Sequence, residues 1–197
     1  MDKLPEFFST IQTLREFSID GTAIIELPSF VYSQRNLQVL EFSRLEKKRT
    51  KWWTSISQPS WLPSKMQHPQ SIIMPSLAGL CSLTRLNLSH CNILEESDSI
   101  GGLSSIESLY LNGNNFTSLP RCLSQLPHLK HLQLFGFEKL EVLPPQLPPN
   151  LLTLDASDCT SLYQISPHCN DAHFTFFYFN LYFSISRFLN ILVDKGT

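Results

Sequence analysis

Charge is scarce in this chain. Asp, Glu, Lys and Arg make up 16% of 197 residues, below the quarter usual for a soluble domain, and the formal net charge is −2. That balance lacks the basic footprint that a nucleic-acid backbone or an anionic membrane requires. Glycine is short as well, 7 against 13 prolines. Such a ratio suits connections in which few backbone N–H groups are needed for a ladder. The five cysteines, Cys81, Cys91, Cys122, Cys159 and Cys169, are odd in number and contain no CxxC pair. This argues against a zinc or dithiol site and against a closed disulfide framework. Free thiols imply a reducing compartment. No nucleophile elbow and no paired acids occur, so no residue is put forward as catalytic and no cofactor or metal is expected. His128 and His131 are three apart, but one precedes a strand and the other lies on it, which does not make a metal pair.

What is present is a repeat. Ile106 to Pro120 reads IESLYLNGNNFTSLP and fits L-x-x-L-x-L-x-x-N followed by an apolar residue and a second leucine. The first apolar position recurs as Leu14, Leu37, Leu83, Ile106, Leu129 and Leu151. The spacing between them is even to within one residue, apart from one interval of double length between Leu37 and Leu83. A later strand position repeats as Ile19, Phe42, Leu88, Leu111, Leu134 and Ala156, and a Leu-Pro step closes coils at Pro5, Pro28, Pro120 and Pro144. One such coil cannot bury its own apolar side, so neighbours must stack on it. The expected fold is an α/β solenoid, a leucine-rich-repeat horseshoe of about six to seven coils of ~23 residues, with short parallel strands on the concave side and an irregular convex side. Helical turns are expected at 99–105 and 121–128, and extended backbone through the proline-rich PPQLPPN. Cys91 and Cys159 occupy the ladder position held by Asn114, which makes them core residues.

The repeat domain is expected over 1–165. Residues 1–13 read as the tail of a coil entered part-way, without an apolar leader, so a fragment or a preceding domain is expected, in a cytoplasmic setting. From about 43 to 76 the leucines vanish and a basic run (Lys47, Lys48, Arg49, Lys51) and three tryptophans (Trp52, Trp53, Trp61) appear. This island fills one repeat's worth of chain. Its basic run is either a nuclear address or a solvated loop, and its tryptophans either bury on the solenoid edge or stay open to a partner. Residues 166–197 lose the repeat phase. Within them 174–193 are long enough to span a membrane, but Arg187 at mid-span costs at least roughly 2.5 kcal/mol. The stretch reads more like translated non-coding sequence than an element of the repeat fold.

Residues between the inward leucines point from the concave face into solvent. They include Arg15, Glu16, Glu41, Arg85, Asn87, Glu107, Tyr110, Asn112, Lys130, His131, Gln133, Phe135 and Asp155. Tyr110, His131 and Phe135, beside Arg85 and Lys130, have the composition of an interaction hot spot. The alternative is an ordinary solvated face.

The segments DGTAIIELPS, PSLAGLCSLTRLNLSHCNILE, SIGGLSSIESLYLNGNNFTSLP and LPPNLLTLDASDCTSL resemble the repeat domain of plant TIR-type nucleotide-binding disease-resistance proteins. That resemblance implies protein recognition, with a pathogen effector, a guarded host protein or the receptor's own nucleotide-binding domain as partner. A truncated adaptor or decoy, a degenerate fragment, or a membrane-anchored repeat protein are the alternatives. The family's phosphate-binding GxxxxGK[ST] loop and its TIR domain are absent from these residues, so neither nucleotide binding nor NAD cleavage carries over. Where relatives commonly place cysteine in the fifth coil this chain has Phe137, whose bulk is expected to distort that turn.

Overall fold

A three-residue strand puts one side chain inward and its two neighbours outward. The repeat supplies that pattern at each leucine. The computed structural model describes residues 13–20, 27–44, 76–93, 100–162 and the strand 176–178. The island tryptophans and its basic run, Cys169, the first twelve residues and most of the tail lie outside them. The strands are β1 (Glu16–Ser18), β2 (Val39–Glu41), β3 (Arg85–Asn87), β4 (Ser108–Tyr110), β5 (His131–Gln133), β6 (Thr153–Asp155) and β7 (Phe176–Tyr178). They form one parallel sheet in chain order. The central residues Phe17, Leu40, Leu86, Leu109, Leu132 and Leu154 pair rung to rung. All six are buried in a single core with the leucines that precede and follow them.

Two expectations need correcting. The long interval between Leu37 and Leu83 counts as two periods in the sequence, yet Leu40 of β2 pairs directly with Leu86 of β3. The coils of β2 and β3 are thus neighbours in the sheet, in keeping with the loss of the repeat leucines between them. The unbroken run of coils, β3 to β6, amounts to about four turns against the six to seven expected. The tail, set outside the repeat fold, contains β7. Its Phe177 pairs with Leu154 and follows it by one full repeat period. The aromatic composition there hid a register that the spacing keeps.

The returns are not α-helical among the described residues. They include two 3₁₀ turns, Ser29–Ser33 and Arg121–Gln125, each entered from an extended proline, Pro28 (φ −58°) and Pro120 (φ −56°). Proline's fixed φ ends the strand exit and starts the tight turn. Val31, Cys122 and Leu123 are their buried anchors.

A left-handed residue precedes each ladder position: His90 (φ 58°), Gly113 (φ 61°), Gly136 (φ 72°) and Asp158 (φ 57°) stand before Cys91, Asn114, Phe137 and Cys159. Each ladder residue except Phe137 donates to the carbonyl at the end of the strand one coil back. Cys91 Sγ reaches Phe42 O at 2.8 Å, Asn114 Nδ2 reaches Leu88 O at 2.9 Å, and Cys159 Sγ reaches Leu134 O at 3.1 Å. Phe137 cannot donate, but Gly136 keeps the same turn and the ring is fully buried. The expected distortion does not occur. Asn114 Nδ2 also covers Leu111 O at 2.7 Å, the carbonyl that residue 137 would otherwise serve.

Candidate functional site

The strand face carries its outward side chains in four rows. Running N-terminal to C-terminal along the strands, the first row holds Arg15, Gln38, Thr84, Glu107, Lys130 and Leu152, locked by backbone bonds from each residue to the one before it. The second is Glu16, Val39, Arg85, Ser108, His131 and Thr153, and the third is Ser18, Glu41, Asn87, Tyr110, Gln133 and Asp155. Past the strands comes a fourth row of Asp20, Ser43, Ser89, Asn112, Phe135 and Ser157.

At this fourth row the parallel ladder leaves N–H groups unserved, and side chains take them. Asp20 Oδ1 accepts from Ser43 N at 2.7 Å and from Ser43 Oγ at 2.9 Å. Asn112 Oδ1 accepts from Phe135 N at 2.9 Å. Asn87 and Asp155 do the same within their own coils, accepting from Ser89 N and Ser157 N at 3.0 Å each. Three residues of the expected binding set, Asn87, Asn112 and Asp155, thus hold strand ends. Asp20 belongs with them and was missed by the leucine-centred reading. The signal was its phase, since it stands one repeat period before Ser43. Ser89, although it stands in the fourth row, is buried.

Other members are engaged with each other. Lys130 Nζ lies 3.1 Å from Glu107 Oε2. His131 Nδ1 is 2.9 Å from Thr153 Oγ1, and Asn112 Nδ2 donates to Gln133 Oε1 at 3.3 Å. Tyr110, His131 and Phe135 come from two neighbouring coils. They stand in the third, second and fourth rows, with Gln133 directly beside Tyr110. Lys130 is not a free cation beside them. Among the described residues Arg15, Glu16, Glu41, Arg85 and Tyr110 make no side-chain hydrogen bond or ion pair. Phe135 and Leu152 are the exposed large apolar side chains there, at 42% and 43%.

No group of three or more metal-capable side chains occurs among the described residues. The buried thiols are unreactive in kind: burial pushes Cys91 up to about 12, against a smaller lowering by Arg44, and Cys159 up to about 11. Cys81 is exposed and Cys122 buried, and neither is in a disulfide. Among the described residues no helix is long and apolar enough to cross a membrane.

A sequence profile of the leucine-rich-repeat family matches residues 81–140. The chain is 33% identical over 162 residues to disease resistance-like protein DSC1 of Arabidopsis thaliana, covering 82% of this chain and 12% of that protein. It is 32% identical over 161 residues to TMV resistance protein N of Nicotiana glutinosa, covering 81% of this chain and 12% of that one. These residues therefore span about an eighth of the relatives they match. A leucine-rich-repeat protein of Leptospira interrogans superposes with a TM-score of 0.60 at 19% identity, over 98% of this chain and 50% of that chain. That likeness concerns the fold.

Proposed function

The chain belongs to the leucine-rich-repeat proteins, with its relatives among the plant TIR-type disease-resistance proteins, and from that premise we propose that it is the recognition module of an intracellular immune receptor. Its strand face contacts a protein: a pathogen effector, a guarded host protein, or the receptor's own nucleotide-binding domain held inactive. The observation that carries this reading is the set of charged and aromatic side chains left unengaged on a face where Lys130, His131 and Asn112 are engaged with their neighbours. Arg85 and Tyr110 are extended from rigid rungs with nothing on the sheet to hold them. The sheet fixes their backbones in advance, so association has only the side chains left to order.

The test is capture from plant tissue by the 197-residue chain, comparing three forms. Arg85→Glu with Tyr110→Ala should remove the captured proteins, whereas Arg121→Glu on the opposite face should retain them. Co-expression with the nucleotide-binding domain of a related receptor separates autoinhibition from effector sensing. Equal capture by all three forms would sink the reading. So would a set of partners lost only with Arg121.

A further inference from the structure

We propose that the C-terminal half of the strand face takes a basic polypeptide segment laid across the strands, with Tyr110 at its centre. This rests on the preceding reading and names the partner's chemistry. The cations of the face are sorted by row. The cations Arg15, Arg85 and Lys130 all stand in the first two rows, and Lys130 is already paired to Glu107. The third and fourth rows carry Asp20, Glu41 and Asp155, with no cation among the described residues. The next basic residue along, Arg44, is half-buried beside Cys91 rather than on the face.

The third row has an ordered composition. From β2 to β6 it runs Glu41, Asn87, Tyr110, Gln133, Asp155: acid, amide, aromatic, amide, acid. At about 4.8 Å per strand, Glu41 and Asp155 stand roughly 19 Å apart with Tyr110 midway. Glu41 is unengaged, and Asp155 commits one oxygen to the Ser157 N–H. A helix rises about 1.5 Å per residue, so basic residues fourteen apart span roughly 21 Å on nearly one face, with a third at the middle. The outer pair meets the two carboxylates. The middle cation lies over the Tyr110 ring, where a cation–π contact adds to the attraction. Phe135, held out by the Asn112 bond to its backbone, supplies exposed apolar surface beside it. Three carboxylates repel phosphate, which turns this half of the face away from nucleic acid.

The probe is a fluorescein-labelled fifteen-residue helical peptide with arginine at its first, eighth and last positions, titrated with the full chain by anisotropy. Glu41→Gln and Asp155→Asn should each weaken binding about threefold and together about tenfold. Glu16→Gln, an acid in the second row, should leave affinity unchanged. Raising salt from about 50 to about 500 mM should weaken the wild-type complex. Asp155→Asn keeps an acceptor for Ser157 N, and circular dichroism checks that the fold is intact. The proposal is overturned if a peptide with glutamates in place of the arginines binds as well, or if Glu16→Gln costs as much as Glu41→Gln. Absence of binding by the arginine peptide overturns it too. The capture comparison with Arg85, Tyr110 and Arg121 stands separately, so failure of the row assignment and failure of face recognition give different results.

Discussion

Phe137 stacks on Phe116 with ring centroids 5.8 Å apart and planes 18° from parallel, at a ladder position where the other described residues, Cys91, Asn114 and Cys159, are hydrogen-bond donors. The stack exists because Asn114 supplies what Phe137 cannot. Its Nδ2 covers both Leu88 O and Leu111 O, and its Oδ1 accepts from Ile93 N at 3.1 Å. Asn114→Ala strands three buried backbone groups at once and should cost about 3 kcal/mol, at roughly 1 kcal/mol each. Asn114→Cys keeps one donor and should recover part of that loss. Urea unfolding of the three proteins measures the order. Equal stability of the alanine and cysteine forms would show that the amide is not what serves these carbonyls.

The same site gives a coupling prediction. Phe116→Leu and Phe137→Leu should interact by about 1 kcal/mol in a double-mutant cycle, the magnitude of a stacked aromatic pair beyond its area. Additive losses would mean that the rings merely fill space.

Gly113 and Gly136 share a left-handed backbone but not their surroundings. A methyl group at Gly136 meets nothing within 4 Å, so Gly136→Ala carries only the conformational penalty, about 1–2 kcal/mol. A methyl group at Gly113 runs into the His90 ring. Gly113→Ala should therefore be the more damaging, and His90→Ala should rescue it to about the level of Gly136→Ala. Thermal unfolding of the four proteins decides it, and equal losses at the two glycines would refute the steric part.

Leu83 to Leu151 announced their strands because each leads into a three-residue rung whose single inward position admits only an apolar side chain. That much of the fold was legible. The strand at Phe176 kept the repeat phase, but its aromatic neighbours mask the contrast between inward and outward positions on which pattern reading depends. At the site, outward orientation was readable for Arg85 and Tyr110. The engagement of Lys130 with Glu107, and of Asn112 with Phe135 N, was not. Those bonds join residues one period apart, and whether two outward groups meet depends on side-chain reach rather than on period.

Lys130 and Glu107 are each about two-fifths exposed or more, so their ion pair is a solvated one. Glu107→Gln should change stability by less than about 1 kcal/mol, and the difference should shrink further in about 1 M salt. Urea unfolding of the two proteins measures it. A loss above about 2 kcal/mol, well beyond the range of an exposed pair, would mean that the pair organises the neighbouring strands.

The buried thiols should weaken the fold at alkaline pH. Cys91 is raised to about 12 and Cys159 to about 11, both chiefly by burial, from an ordinary value of 9.0. Above that ordinary value the unfolded chain releases the two protons while the folded chain retains them. The unfolded state then binds fewer protons, so stability must fall as pH rises. The contribution is fully present below about pH 9 and drains away between there and the folded values, with a slope approaching about 1.4 kcal/mol per pH unit for each thiol. Cys91→Ala with Cys159→Ala starts from lower stability at neutral pH, because two buried contacts are lost, but its pH dependence between about 9 and 11 should be shallower. Urea midpoints measured from neutral pH to about pH 11 supply both curves. Parallel alkaline limbs would place the titrating groups elsewhere.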